Sequence, residues 1–234
     1  MKLKIECKPL DDLLDGGVEN GALTEFYGEA GSGKTNICLQ LSRNCAKQGR
    51  KVVYIDTEGV SIERLKQICG SDFENISKNI LFFEPYSLDE QDKIIDKVVR
   101  LAEGRDIGLV VLDSATMFYR YLLGNGHDVE SLRMLSQQIT KLLGVARKKS
   151  VPVVITSQVF TNIEKNEIEP LGGQALKHSA KAIIRLDKLS RGRRKATIIK
   201  HRALSDESYT EFVLTDKGVE PGKKISMFSR AEKT

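Results

Sequence analysis

The sequence predicts an α/β fold: a mainly parallel twisted sheet with helices on both faces, extended by antiparallel β-hairpins at the C-terminal edge. Three observations predict it. Apolar runs of buried-strand type alternate with stretches of helical periodicity through most of the chain. A glycine-rich turn, Gly28 to Asn36, separates the first such run from the first long amphipathic stretch. After Gln158 the alternation gives way to short β-runs joined by tight turns. In an open sheet of this kind ligands bind beyond the carboxyl ends of the strands, so the residues that close each apolar run carry the interest.

Residues 1–20 hold a short amphipathic turn, PLDDLLDGG, and read as a lead-in to a core spanning residues 21–220. ALTEFYG is the strand before the glycine-rich turn. From Lys34 to about Gln48, Ile37, Cys38, Leu41 and Cys45 recur at helical spacing, with Gly49 as the C-terminal stop. KVVYIDTEG is a buried strand ending in two carboxylates, Asp56 and Glu58. A short helix over 62–68 is closed by Gly70, and ILFFEP is the next strand. Ser87 and Glu90 form a capping box for a helix with Ile94, Ile95, Val98, Val99 and Ala102 inward. GLVVLDS is a strand ending in Asp113, followed by a loop rich in aromatics and glycine. Leu132, Leu135, Ile139, Leu142 and Ala146 then line one face of a long helix, and VPVVITSQ is a strand ending at Gln158. A polar loop, VFTNIEKNEIEPLGG, leads to a helical stretch, GQALKHSAK, and to the β-runs AIIRL, KATIIKH and TEFVLT. The tail, 221–234, is expected to be loose.

A chain of 234 residues has room for one sizeable core with extensions but not for a large second domain. Hydrophobic residues at 40% and charged residues at 29% describe an ordinary soluble globular protein. A formal charge of +5 and a pI near 8.9 bias the surface mildly toward polyanions. Cys7, Cys38, Cys45 and Cys69 form no C-x-x-C pair and read as reduced core residues. No apolar run has the length of a membrane span, so a cytoplasmic location without membrane contact is expected.

GEAGSGKTN matches G-x-x-x-x-G-K-S/T between a strand-like and a helix-like segment, the context in which that pattern cradles a nucleoside triphosphate. Gly28, Gly31 and Gly33 free the backbone so that amides from Gly28, Glu29, Ala30, Gly31, Ser32 and Gly33 can turn toward phosphate oxygens. Lys34 supplies a point charge to the β- and γ-phosphates of ATP, and the Thr35 hydroxyl, next to Asn36, is placed for Mg²⁺. Both stand at a helix N-terminus, where the macrodipole favours an anion. Asp113, closing LVVLD, is the second half of such a site and holds Mg²⁺ through water. Glu58 is the candidate general base that orients and deprotonates water. Gln158 can donate to the γ-phosphate and accept from its own loop, which would report whether ATP or ADP is bound; an ordinary turn glutamine is the other reading.

Arg185, Lys188, Arg191, Arg193, Arg194, Lys195, Lys200, His201 and Arg202 crowd one hairpin region interrupted only by Asp187. That density suits a nucleic-acid backbone and equally a solvated charged face. Tyr119, Arg120 and Tyr121 suit stacking on single-stranded bases and equally packing against the next helix.

PLDDLLDGGVENGALTEFYGEAGSGKT, VVYIDTEG, LVVLDSATMFYR, VVITSQV and GGQALKHSA, in this order, closely resemble the RecA-like P-loop ATPase core of recombinases of archaeal and eukaryotic type. The resemblance runs from about Lys8 to Val219. It implies that Lys34 and Thr35 are the phosphate-loop pair, Glu58 the catalytic glutamate, Asp113 the Mg²⁺ carboxylate and Gln158 the switch residue that opens a second DNA loop. Arg64, in IERL, matches a position that stacks on adenine. The implied function is an ATP- and DNA-binding accessory protein of homologous recombination and DNA repair, a mediator rather than the main strand-exchange recombinase, with weak DNA-dependent ATPase activity. Its implied partners are single- or double-stranded DNA and other recombination proteins, such as the main recombinase or a junction nuclease.

Two departures qualify the likeness. Recombinases of this type carry an N-terminal helical domain and a linker that hooks into the next subunit, whereas few residues precede the core here, so filaments built by that route are not expected. RecA-type sites are often completed by a neighbouring subunit, which keeps a homo-oligomer among the expected assemblies. The loop from Val159 to Gly173 carries Glu164, Glu167 and Glu169 against Lys165, a poor lining for a DNA channel. DNA contact is therefore expected from Arg120, Arg191, Arg193, Arg194, Lys195, Lys200, His201 and Arg202. The competing reading is a regulatory P-loop ATPase that switches protein–protein contacts and has little direct DNA role.

Overall fold

A computed structural model, which describes residues 2–104, 106–122, 128–162, 167–190 and 192–222, assembles the apolar runs into a nine-stranded sheet. Among the described residues the strands are β1 (Lys2–Leu3), β2 (Val18–Glu19), β3 (Leu23–Tyr27), β4 (Lys51–Asp56), β5 (Ile80–Phe83), β6 (Ile107–Asp113) and β7 (Val153–Ser157). They continue as β8 (Val159–Asn162), β9 (Glu167–Pro170), β10 (Ala182–Lys188), β11 (Arg193–His201), β12 (Tyr209–Thr215) and β13 (Gly218–Pro221). The helices are α1 (Lys8–Leu13), α2 (Lys34–Lys47), α3 (Ile62–Cys69), α4 (Phe73–Ser77), α5 (Leu88–Gly104), α6 (Met117–Leu122), α7 (Asp128–Lys149) and α8 (Gly173–Ser179).

The sheet order is β13-β12-β11-β10-β3-β7-β6-β4-β5. The six strands from β10 to β5 are mutually parallel, and β11, β12 and β13 add antiparallel. This is the predicted α/β architecture with its antiparallel edge. Parallel strands must be covered on both faces, which is why β3 and β6 are buried throughout. The period-2 pleat divides β3: Phe26 joins Leu39, Leu41, Tyr54 and Val111 beneath α2, while Leu23 and Tyr27 join Val53, Leu112, Ile139 and Leu142 beneath α5 and α7.

The Ser87 hydroxyl accepts from the Glu90 amide at 3.1 Å, as a capping box requires, but the Glu90 carboxylate reaches one residue early, to the Tyr86 amide at 2.8 Å. The lead-in is stitched to the core. Ile5 and Leu10 are fully buried, and the Gln40 amide donates to the Ile5 and Val219 carbonyls at 2.9 and 3.1 Å. All four cysteines are free and buried, and burial pushes the Cys7 and Cys69 thiols up to about 11 and Cys45 to about 12, which suppresses the thiolate.

Several elements depart from the sequence-based expectation. The aromatic stretch after Asp113 forms α6, with Tyr119 buried and Tyr121 exposed. The arms of the polar loop pair as the β8–β9 hairpin, α4 follows α3, and β13 closes the sheet edge. Each is six residues or fewer, too short for periodicity to declare itself. Only Pro221 and Gly222 of the expected tail fall within the described residues.

Candidate nucleotide site

The parallel strands bring their carboxyl ends together, so β3 delivers Gly28, β4 delivers Asp56 and Glu58, β6 ends in Asp113 and β7 leads into Gln158. Gly28 is required sterically: a Cβ there would fall on the Leu186 carbonyl oxygen of β10. Gly33, at φ +109°, caps α2 in the left-handed region that glycine adopts at no steric cost. Lys34 is buried, and its ammonium donates to the Gly28 and Glu29 carbonyls at 2.8 and 3.1 Å. Burial lowers its pKa, while Glu58 and Asp113 oppose the fall. The Ser32 hydroxyl is buried beside this loop without a partner among the described residues.

Asp113 is 1% exposed. Burial raises its carboxyl pKa, and three hydroxyls oppose the rise: Thr156 donates at 2.5 Å, Tyr54 at 2.7 Å, and Thr35 is its third partner. Thr35 and Asp113, the two predicted metal ligands, are thus already paired. The ends of β4 and β6 are lashed together as well, because the Thr57 hydroxyl donates to the Ser114 carbonyl at 3.0 Å and accepts from the Ser114 amide at 2.8 Å. Asp56 organises the turn that aims Glu58: its carboxylate accepts from the Glu58, Gly59 and Val60 amides at 3.1, 2.9 and 2.5 Å.

Beyond that turn runs a relay of polar side chains. Glu58 accepts from the Gln158 amide nitrogen at 2.8 Å, and the Gln158 oxygen accepts from the Arg120 guanidinium at 3.0 Å. The Gln158 backbone is fixed on both sides, its amide donating to the Thr116 hydroxyl and its carbonyl accepting from Leu171 next to β9. Arg64 lies near the start of α2, donating to Asn36 at 2.7 Å and to the Thr215 and Asp216 carbonyls at 2.6 and 3.1 Å.

The structure gives the described members of the basic cluster partners within the chain. Arg193 pairs with Glu211 at 3.1 Å, Arg202 with Glu19 at 2.6 Å and Arg185 with Asp187 at 3.1 Å. Lys195 stands 4.2 Å over the Tyr209 ring. Lys200 caps the end of α8 through the Lys177 and Ala180 carbonyls, and His201 Nδ1 accepts from the Ala203 and Leu204 amides. Lys188 and Arg194 reach Glu29 and Gly31 of the glycine-rich loop. Arg191, Glu164 and Lys165, and the side chain of Glu167, lie outside the described residues.

Sequence reasoning missed Tyr54, Thr156, Thr57 and the bracing role of Asp56. Tyr54 and Thr156 sit inside apolar runs, where a lone hydroxyl reads as an ordinary strand residue. The one usable signal was the proximity of Asp56 to Glu58.

A phosphate loop, a buried strand-end carboxylate and a strand-end glutamate on this sheet order define a RecA-like fold. The chain matches the Rad51 family over residues 1–221. A DNA repair and recombination protein RadB of Methanococcoides burtonii is 44% identical over 219 residues, covering 93% of this chain and 97% of that protein. One of Archaeoglobus fulgidus is 43% identical over 222 residues, covering 94% and 99%. A crystal structure of the RadB recombinase superposes with a TM-score of 0.81 at 34% identity, over 94% of this chain and 100% of that one. The chain belongs to the Rad51 family.

Proposed function

We propose that this chain is an ATP- and DNA-binding accessory protein of homologous recombination and DNA repair that hydrolyses ATP weakly. The observation that carries the reading is the hydrogen-bonded relay Glu58–Gln158–Arg120, which joins the candidate catalytic carboxylate to the arms of the β8–β9 hairpin and to α6. The names of the RadB relatives, DNA repair and recombination proteins alike over nearly the whole chain, support the process.

The residues present fit a magnesium-bound triphosphate. A Cβ at Gly28 would strike the Leu186 carbonyl, Gly33 holds a left-handed φ of +109°, Ser32 keeps a buried hydroxyl without a partner among the described residues, and a buried ammonium feels two carboxylates. Mg²⁺ keeps several waters and needs only one or two protein oxygens beside the phosphates. Thr35 and Asp113 would supply them, and no cluster of three or more metal-binding side chains is present among the described residues. When bound, Mg²⁺-ATP supplies the scissile phosphoanhydride and a cation that neutralises its charge. Lys34 and the loop amides bind and orient the phosphates, and Arg64 borders the site from α3. Glu58, held by the Asp56 turn, accepts the proton of attacking water. The two N–H groups of the Gln158 amide are turned to Glu58 at 2.8 Å and to Met117 Sδ at 3.3 Å, so donating to a phosphate oxygen requires one of these partners to be released, a change passed to Arg120 and the β8–β9 hairpin.

DNA, other recombination proteins and further copies of this chain are the proposed partners. Among the described residues no helix is long and apolar enough to cross a membrane. Binding to single- and double-stranded oligonucleotides, measured with and without ATP across a salt series, tests the reading. Affinity that falls steeply with salt and changes with ATP supports it. Absence of binding to either strand type would replace it with the regulatory protein–protein switch.

A further inference from the structure

The hairpin joining β10 to β11 meets the glycine-rich loop at three points. The Leu186 carbonyl fills the space a side chain at Gly28 would need, Lys188 Nζ lies 3.2 Å from the Glu29 carboxylate, and Arg194 Nε donates to the Gly31 carbonyl at 3.0 Å. Arg194 is 163 residues from Gly31 in sequence, so only the sheet extension brings them together.

We propose that Arg194 is a positioning residue of the nucleotide site, holding the tip of the phosphate loop in its binding form, and is not a DNA ligand. This rests on the reading that the loop binds a nucleoside di- or triphosphate. A trans peptide is planar, with its C=O and N–H on opposite sides, so fixing the Gly31 carbonyl fixes the Ser32 amide too. That amide points into the loop, donating to the Glu29 carbonyl at 3.1 Å. Gly31 sits at φ +74°, and among the described residues, its two chain neighbours aside, no atom comes within 4 Å of where its Cβ would stand. Such a glycine has many conformations open to it and no packing of its own to choose among them. The guanidinium bond makes that choice from outside the loop, lowering the ordering cost that ligand binding would otherwise carry.

Lys188 has a lesser part. Its ion pair with Glu29 is half-exposed and worth little as a bond. Its charge is nonetheless felt by Lys34, so it adds positive potential where the phosphates are read.

The test titrates the parental chain, Arg194→Ala and Arg194→Lys with ADP and with ATP in Mg²⁺ by calorimetry. Thermal unfolding without nucleotide and oligonucleotide binding across a salt series accompany it. Arg194→Ala is expected to weaken ADP and ATP binding by the same factor, about three- to tenfold, as loss of one solvent-exposed hydrogen bond from a charged donor implies. Arg194→Lys, which keeps a charged donor, should recover part of that loss, and the salt slope for oligonucleotides should not change. Parental affinity for both nucleotides in Arg194→Ala would overturn the inference. So would a salt slope reduced by about 0.9, the signature of one lost phosphate contact. Equal losses in both variants, together with lowered unfolding temperatures, would mark a merely structural residue and overturn it too. Failure of the parental chain itself to bind either nucleotide would refute the underlying reading of the loop, a result distinct from all of these.

Discussion

Replacing Glu25 by glutamine is expected to remove a loss of stability that the parental chain suffers as pH rises through neutrality. Glu25 lies at the middle of β3 with no exposed surface; one carboxylate oxygen accepts from the Ser157 hydroxyl at 2.5 Å, and the other has no hydrogen-bond partner among the described residues. Burial raises its pKa from 4.5 to about 7, opposed by the Ser157 bond and by the Lys200 charge, while the Tyr27 hydroxyl is the neighbouring group that feels its charge. The folded chain therefore holds this proton more tightly than the unfolded chain. The resulting stability is complete below pH 4.5 and is lost as pH rises through about 7. At 1.36 kcal/mol per unit the loss is on the order of 3 kcal/mol, or roughly 6–12 °C in unfolding temperature for a chain of this size. Thermal unfolding of parental and Glu25→Gln proteins from pH 5 to pH 8.5 reads the difference directly. The two should lie closest at the acid end, separate between about pH 5 and pH 7, and hold a constant gap above that, with the variant more stable. Curves that stay parallel across the range would refute the assignment of a buried, proton-holding carboxyl.

Further outcomes follow from the site. Lys34→Ala should weaken ATP binding by about a hundredfold while the unfolding temperature without nucleotide moves by only a few degrees, because losing the ammonium bonds is offset by relief of its burial; calorimetry and thermal scans check both. Glu58→Gln should bind ATP within about threefold of the parental chain and lose at least about a hundredfold in turnover, and hydrolysis at the parental rate would remove Glu58 as the base. Tyr54→Phe deletes a buried donor to Asp113 and should cost about 1–2 kcal/mol in denaturant unfolding. Since that bond opposes the burial-driven rise of the Asp113 pKa, the variant should need higher pH for Mg²⁺-dependent nucleotide binding, measurable as an upward shift of its pH midpoint.

Much of the sheet was legible because its strands obey one rule. A parallel strand buried on both faces reads as a continuous apolar run, and LVVLD or VVITS can hardly be anything else. Glu58, Asp113 and Gln158 were legible for the same reason: each lies at the end of such a strand or within two residues beyond it. What surrounds them was not. Tyr54 and Thr156 meet at Asp113 only because β6 pairs with β4 on one side and β7 on the other, and that register joins residues 43 to 59 apart. The basic cluster is the complementary case. Counting charges along 185–202 detects their density but not their destinations, and Glu211, Glu19, Tyr209 and the phosphate loop itself answer them from other elements. α6 and the β8–β9 hairpin escaped for want of length, although they hold Arg120 and flank Gln158.

The central claim is that the chain grips a magnesium-bound triphosphate at the carboxyl ends of its parallel strands. Calorimetric titration with ATP, comparing the parental chain in Mg²⁺, the parental chain with the metal chelated, and Asp113→Asn in Mg²⁺, tests it most directly. Asparagine keeps the shape that Tyr54 and Thr156 pack against and removes the charge that a cation requires. Saturable binding that weakens at least about tenfold both on chelation and in the variant is the predicted result. Equal affinity under all three conditions, or no binding by the parental chain, would contradict the account.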